Sequence, residues 1–191
     1  QENGGAIYID FTNEISSEEF TITGCQFASN SGQLGATICS MSNKDTAIDI
    51  SNCTFNDNIQ NENIIYSYSE NLKIHDIIFE FKYTNENARP ICLKENSKTE
   101  IFEVQFIKCS MSDSEGAAII AESGIQLLNV HECRFEDCQD VGSSVYCLSS
   151  PLLFSNNIFI SSVPRASGLH ILCAGQIEII NCSFTHLRQK N

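Results

Sequence analysis

The chain has 191 residues and a formal net charge of −13, with 11 Lys and Arg against 24 Asp and Glu. That balance works against nucleic acid and anionic membrane surfaces, which both need a basic face, and leaves cations, basic proteins or uncharged glycans as partners. No apolar run approaches the ~18 residues of a membrane-spanning helix, and neither a charged-then-apolar leader nor an initiator Met opens the sequence, so Gln1 is expected to begin a mature chain or an excised fragment.

From the N-terminus, a Gly-led, β-branched segment, Gly5-Ala6-Ile7-Tyr8-Ile9, comes first. Ile22-Thr23-Gly24-Cys25-Gln26-Phe27-Ala28-Ser29-Asn30 follows it. The first kind of segment returns at residues 35–39, 63–67, 88–92, 116–120, 143–147 and 168–172. The second returns as Ile50 to Phe55, Ile74 to Phe79, Ile101 to Phe106, Val130 to Phe135, Phe154 to Phe159 and Ile179 to Phe184. Successive phenylalanines lie 24 to 29 residues apart, a period that marks a solenoid built from one supersecondary unit per turn. The stretch between the two segments varies most in length, so it is read as the elastic loop of each coil.

Within the second segment the Ile and the Cys are three apart, whereas the Cys and the Phe are two apart. A strand alternates its faces with period two, so the odd spacing implies a corner between Ile and Cys. The residue before the Cys slot is Gly24, Asn52, Asp76, Glu103, Glu132, Asn156 and Asn181 in turn. Gly and Asn tolerate the left-handed backbone that tight corners require. The expected fold is all-β: a right-handed parallel β-helix of about seven coils, 24–30 residues each, its handedness following the rule for parallel crossovers. Phe27, Phe55, Phe79, Phe106, Phe135, Phe159 and Phe184 are expected to stack inside it as a ladder. A leucine-rich repeat competes, since four copies fit its template. That fold needs a helical return with leucines, and the return here is β-branched and Gly-led.

Gly4-Gly5-Ala6-Ile7 with Phe27-Ala28-Ser29-Asn30, and again Phe55 to Asn58, resembles the GGAI and FxxN repeats of polymorphic outer-membrane proteins. The cysteine slots and the Asn/Ile/Ser/Lys-rich wording are similar to related β-helical surface proteins of unicellular eukaryotes. The resemblance implies a surface-exposed adhesin-type β-helix.

Ten cysteines is a high, even count, consistent with an oxidising compartment. Cys25, Cys53, Cys133 and Cys182 all sit two residues before the repeated Phe, and Cys109 and Cys138 three after it, where a small hydrophobe would serve as well. Two readings stand: buried free thiols, or disulfides between neighbouring coils at Cys25–Cys53, Cys109–Cys138 and Cys147–Cys173. Strands ~4.8 Å apart permit the bond, although in-register side chains give it poor torsions.

Asp76, Glu103 and Glu132 share the corner slot and are read as solvated corner residues rather than a Ca²⁺ site. His75 and His131 share another slot with Phe102 between them, ~9.6 Å apart by strand spacing, too far for one metal ion. No metal and no cofactor is assigned. No carboxylate pair or serine triad of the kind glycoside or ester hydrolysis needs is legible, so no catalytic residue is assigned. Asn52-Cys53-Thr54 and Asn181-Cys182-Ser183 are glycosylation sequons whose Asn also occupy the corner slot. Tyr8, Ile38, Tyr66, Ile91, Ile119, Tyr146 and Ile171 are expected to form one column, with an apolar stripe climbing the outside or covered by a loop such as residues 10–19.

These readings converge on a single β-helix domain over residues 1–191, a slice of a longer solenoid or one capped by a partner. The expected function is a non-catalytic, extracellular or cell-surface scaffold for adhesion or recognition, presenting variable loops to a protein or glycan. The alternatives are a structural component of a larger, even intracellular, assembly with end-to-end or lateral packing, and a carbohydrate-active β-helix enzyme.

Overall fold

A computed structural model describes residues 5–11, 19–32, 35–42, 46–56, 62–68, 71–81, 88–95, 98–111, 116–140, 143–148, 151–162, 168–172 and 175–187. Ile and Phe dominate the short segments between polar loops, and each such segment is a strand. The strands stack onto their equivalents one winding later, almost always in parallel. The first sheet runs Ile7–Asp10, Gly35–Met41, Glu62–Tyr68, Ala88–Leu93, Ile119–Ala121, Val145–Cys147 and Leu169–Ile171. The second runs Glu19–Thr23, Ala47–Ser51, Asn71–Glu80, Lys98–Ile107, Leu127–His131, Leu152–Ser155 and Ile177–Ile180. No neighbour in either path is its predecessor in the chain, so the backbone winds from sheet to sheet as a parallel β-helix.

Between Ile and Cys the second sheet bends. The backbone is left-handed at Gly24, Asn52, Asp76, Glu103, Glu132, Asn156 and Asn181, with φ from 51° to 66°. The corner resets the alternation and brings Phe back inside. A second left-handed position lies two residues past the Phe, at Ser29, Lys108, Asp137 and His186. No Gly or Asn marks it, so the sequence carried no signal for it.

Phe27 stacks on Phe55, and the column continues through Phe79, Phe106, Phe135 and Phe159 to Phe184 with centroid separations of 4.4 to 5.5 Å. The first six rings are buried, while Phe184 has one open face and is 47% exposed. Beside the rings, Ile22, Ile50, Ile74, Ile101, Val130 and Phe154 form a second buried column in register. Ile38, Ile65, Ile91, Ile119 and Val145 close the core from the opposite sheet.

The outer stripe needs correcting. Tyr8 lies beside Cys39 rather than Ile38, and the outward column reads Tyr8, Cys39, Tyr66, Cys92, Ile120, Tyr146, His170. Counting from the first residue of each segment puts Ile38, Ile91, Ile119 and Ile171 one position off that column; in the second coil the register shifts between Gly35 and Ile38. Cys39, Cys92 and Tyr146 in that column are buried. The proposed covering loop falls largely outside the described residues.

Of the two cysteine readings, the structure has free thiols at Cys25, Cys53, Cys109 and Cys138, whereas Cys173, and with it the Cys147–Cys173 pair, lies outside the described residues. The S–H groups are directed at backbone. Cys25, Cys53, Cys133, Cys138 and Cys182 donate to the carbonyl two residues before them, at 3.1 to 3.7 Å. Cys53, Cys133, Cys138 and Cys182 also reach a carbonyl of the preceding coil, that of Ile22, Ile101, Phe106 and Phe154. The cysteines thus serve as weak donors at corners, where a plain hydrophobe would leave those carbonyls without this partner.

Candidate functional site

Alternation along Asn71–Glu80 and Lys98–Ile107 buries Leu72, Ile74, Thr99 and Ile101 and turns Asn71, Lys73, His75, Lys98, Glu100 and Phe102 outward. Strand register then gathers the outward residues into three columns. Glu19, Ala47, Asn71, Lys98 and Leu127 form the first, and Thr21, Asp49, Lys73, Glu100 and Asn129 the second. Thr23, Ser51, His75, Phe102 and His131 form the third. Between the first two columns runs a groove of about 510 Å³ that crosses five coils, from Glu19 to Leu127 and Asn129.

The third column is a face-to-face sandwich. Phe102 lies 4.6 Å from the His75 ring and 5.1 Å from the His131 ring, within 6° of parallel to both. Both phenyl faces of Phe102 are therefore occupied by the imidazoles. The imidazoles tie down the acids around them. His75 Nε2 is 3.1 Å from Asp49 Oδ1 and its Nδ1 is 2.7 Å from Asp76 Oδ2, so one ring bridges carboxylates of two coils. The hydrogen bond from His75 holds the Asp76 carboxyl below the usual carboxylate range, with a smaller contribution from Glu103. His131 Nε2 approaches Glu100 Oε1 at 3.3 Å, and Asn129 Nδ2 reaches the same oxygen at 3.4 Å. The Lys73 ammonium lies 5.1 Å from the Phe102 centroid. The Asn129 Oδ1 is buried with no hydrogen-bond partner.

Asp76, Glu103 and Glu132 occupy the left-handed corner, and among the described residues no three His, Cys, Asp or Glu lie together as metal ligands. Asn52 and Asn181 are exposed corner residues with φ of 51° and 52°, so a backbone role accounts for both. The sequence reading recognised the shared slot of His75 and His131 but missed Asp49, Lys73, Glu100 and Asn129. The signal for them was present: each immediately precedes the inward Ile50, Ile74, Ile101 or Val130. Among the described residues no helix is long and apolar enough to cross a membrane.

Residues 5–184 match a family described as right handed beta helix region. No curated protein and no solved structure matches the chain.

Proposed function

The chain belongs to the right-handed β-helix family, and from that premise we propose that it is a non-catalytic recognition scaffold, acting at a cell surface or outside the cell. Its rigid second sheet holds an extended ligand in the outward groove, flanked by loops. The observation that carries this reading is the state of the groove acids. Asp49 and Glu100 are already engaged by His75 and by His131 with Asn129, and Lys73 stands between them in register. Glycoside hydrolysis uses two carboxyl groups free to exchange protons across one scissile bond. A lattice of mutually paired groups on a stiff sheet supports binding more than turnover.

The test is binding of the purified chain to cells and to an oligosaccharide panel, with product analysis of the same mixtures. Saturable binding that weakens when Ala47 is replaced by a bulky Phe at the groove floor, without release of cleaved products, supports the proposal. Release of new reducing or unsaturated ends would move the chain to the carbohydrate-active enzymes. Binding indifferent to Ala47→Phe and to every loop change would remove the groove from the account.

A further inference from the structure

We propose that Cys25 and Cys53 form a reversible redox clasp between the first two coils. Cys25 takes up an oxidising equivalent from a low-molecular-weight disulfide, and Cys53 converts it into a bond between the coils. The clasp acts at the end of the solenoid and does not depend on what the groove binds.

Register puts the two sulfurs together. Gln26 pairs with Thr54 and Phe27 with Phe55, so Cys25 and Cys53, one position earlier, are neighbours across the step. The backbone is fixed on both sides of them: the Thr54 N–H donates to the Cys25 carbonyl at 3.0 Å, and the Gly24 N–H to the Ser51 carbonyl at 3.2 Å. The backbone and the thiol of Cys25 both interact directly with the Cys53 sulfur. Parallel neighbours lie ~4.8 Å apart, inside the span of about 4.4–6.8 Å between Cα atoms that a disulfide accepts.

Access sets this pair apart. Cys25 is partly exposed, with Cys53 buried behind it. Cys109 and Cys138 also interact, but both are buried and neither offers an oxidant a way in. Cys133 and Cys182 have Asn157 between them. The space beside Cys25 is open, since a Cβ added at Gly24 would meet nothing within 4 Å. That corner slot carries Asp76, Glu103 and Glu132 in the next three coils but no acid at Gly24 or Asn52, so an anionic disulfide such as oxidised glutathione meets no like charge in the slot here.

The chemistry closes in two exchanges. The Cys25 thiolate attacks one sulfur of oxidised glutathione, forming a mixed disulfide and expelling one glutathione thiolate. Cys53 then gives up its proton and attacks the Cys25 sulfur, expelling the second. Two protein thiols lose two electrons, one disulfide is reduced to two thiols, and both protons pass to glutathione. Burial holds the Cys53 thiol above its ordinary range, so it stays neutral until the mixed disulfide stands beside it. Side-by-side Cβ atoms strain the new bond, which keeps it open to reduction by a dithiol. The consequence is mechanical. Glu19–Thr23 pairs on one side only, with Ala47–Ser51, and four of its five residues are exposed. An end strand of this kind opens before the inner ones. Joining Cys25 to Cys53 ties it down, and with it Glu19 at the end of the groove.

The test takes the purified chain, fully reduced and then equilibrated with oxidised glutathione, through peptide mass spectrometry and hydrogen exchange. A Cys25–Cys53 cross-linked peptide that dithiothreitol removes is expected. Amides of residues 19–28 should exchange about tenfold more slowly in the oxidised chain, with those of residues 98–107 unchanged. Cys53→Ser, which lacks the resolving thiol, should stop at a glutathione adduct on Cys25, and Cys25→Ser should leave Cys53 unmodified. An unreactive Cys25, a first bond elsewhere in the chain, or glutathione retained on Cys25 while Cys53 is present would overturn the clasp. So would a Cys25–Cys53 bond that leaves exchange at residues 19–28 unchanged.

Discussion

The side-chain amide of Asn157 donates to the Val130 carbonyl at 2.8 Å, and its Oδ1 accepts the Cys133 backbone N–H at 2.9 Å. Asn157 occupies the slot that holds Cys25, Cys53, Cys133 and Cys182 in other coils, one residue past the left-handed corner. Cys53, Cys133 and Cys182 send their S–H groups to the carbonyl at the same place in the preceding coil. The slot therefore selects a short side chain that can donate backwards across the corner. Coils with Ile77 or Val104 there forgo that bond.

Asn157 is fully buried, so replacing it by Val strands the Cys133 N–H and takes one of its donors from the Val130 carbonyl, which keeps its strand-ladder partner. A buried unsatisfied group costs about 1–3 kcal/mol, so Asn157→Val should lose about 1–3 kcal/mol in urea denaturation. Asn157→Cys, which restores a donor, should lose clearly less. Equal losses would mean that volume rather than hydrogen bonding governs the slot.

The phenylalanine column makes a graded prediction. Phe106 is buried between Phe79 and Phe135, so Phe106→Ala should cost about 3–5 kcal/mol. Phe184 contacts the column on one face only, so Phe184→Ala should cost about half as much, roughly 2 kcal/mol. Denaturation midpoints that do not separate the two would contradict a continuous stack.

Corner geometry can be probed in both directions. At Gly24, φ is 66° and an added Cβ would meet nothing within 4 Å, so Gly24→Ala isolates backbone strain and should cost about 1 kcal/mol. Glu103 is exposed and holds φ at 53° with a side chain. Glu103→Gly should relieve part of the same strain, whereas β-branched Glu103→Val should add to it. Melting temperatures in the order Gly, Glu, Val at position 103 are expected; the reverse order would rule out the strain account.

Burial pushes the Cys39 and Cys92 thiols up to about 11 and the Cys133 thiol up to about 12. A thiol whose folded pKa is raised contributes stability that is complete below the unfolded value near 9 and is lost as pH rises through the folded value. Stability should therefore fall between about pH 9 and pH 12, and Cys133→Ser should blunt that fall. In the folded chain at pH 8, iodoacetamide should label the half-exposed Cys25 and Cys182 well before Cys39, Cys92 or Cys133. Peptide mass spectrometry gives the order, and simultaneous labelling of all five would show that the core opens on the labelling timescale.

The parallel β-helix, the inward phenylalanines and the first corner were legible from residues alone. Each is written once per coil: a Phe at a steady period, an odd step from Ile to Cys, and a Gly or Asn where the backbone turns left-handed. Local stereochemistry and period-two alternation suffice to read them. What faces what from coil to coil was decided only by the tertiary structure. Loops of unequal length break the link between sequence distance and slot, and register follows from how whole strands pair. Hence Tyr8 stands beside Cys39, the thiols reach for carbonyls, and the corner at Ser29, Lys108, Asp137 and His186 forms without a glycine to announce it. Asp49 and His75, 26 residues apart, form one contact beside the groove for the same reason, because strand pairing brings outward side chains together that no local rule relates.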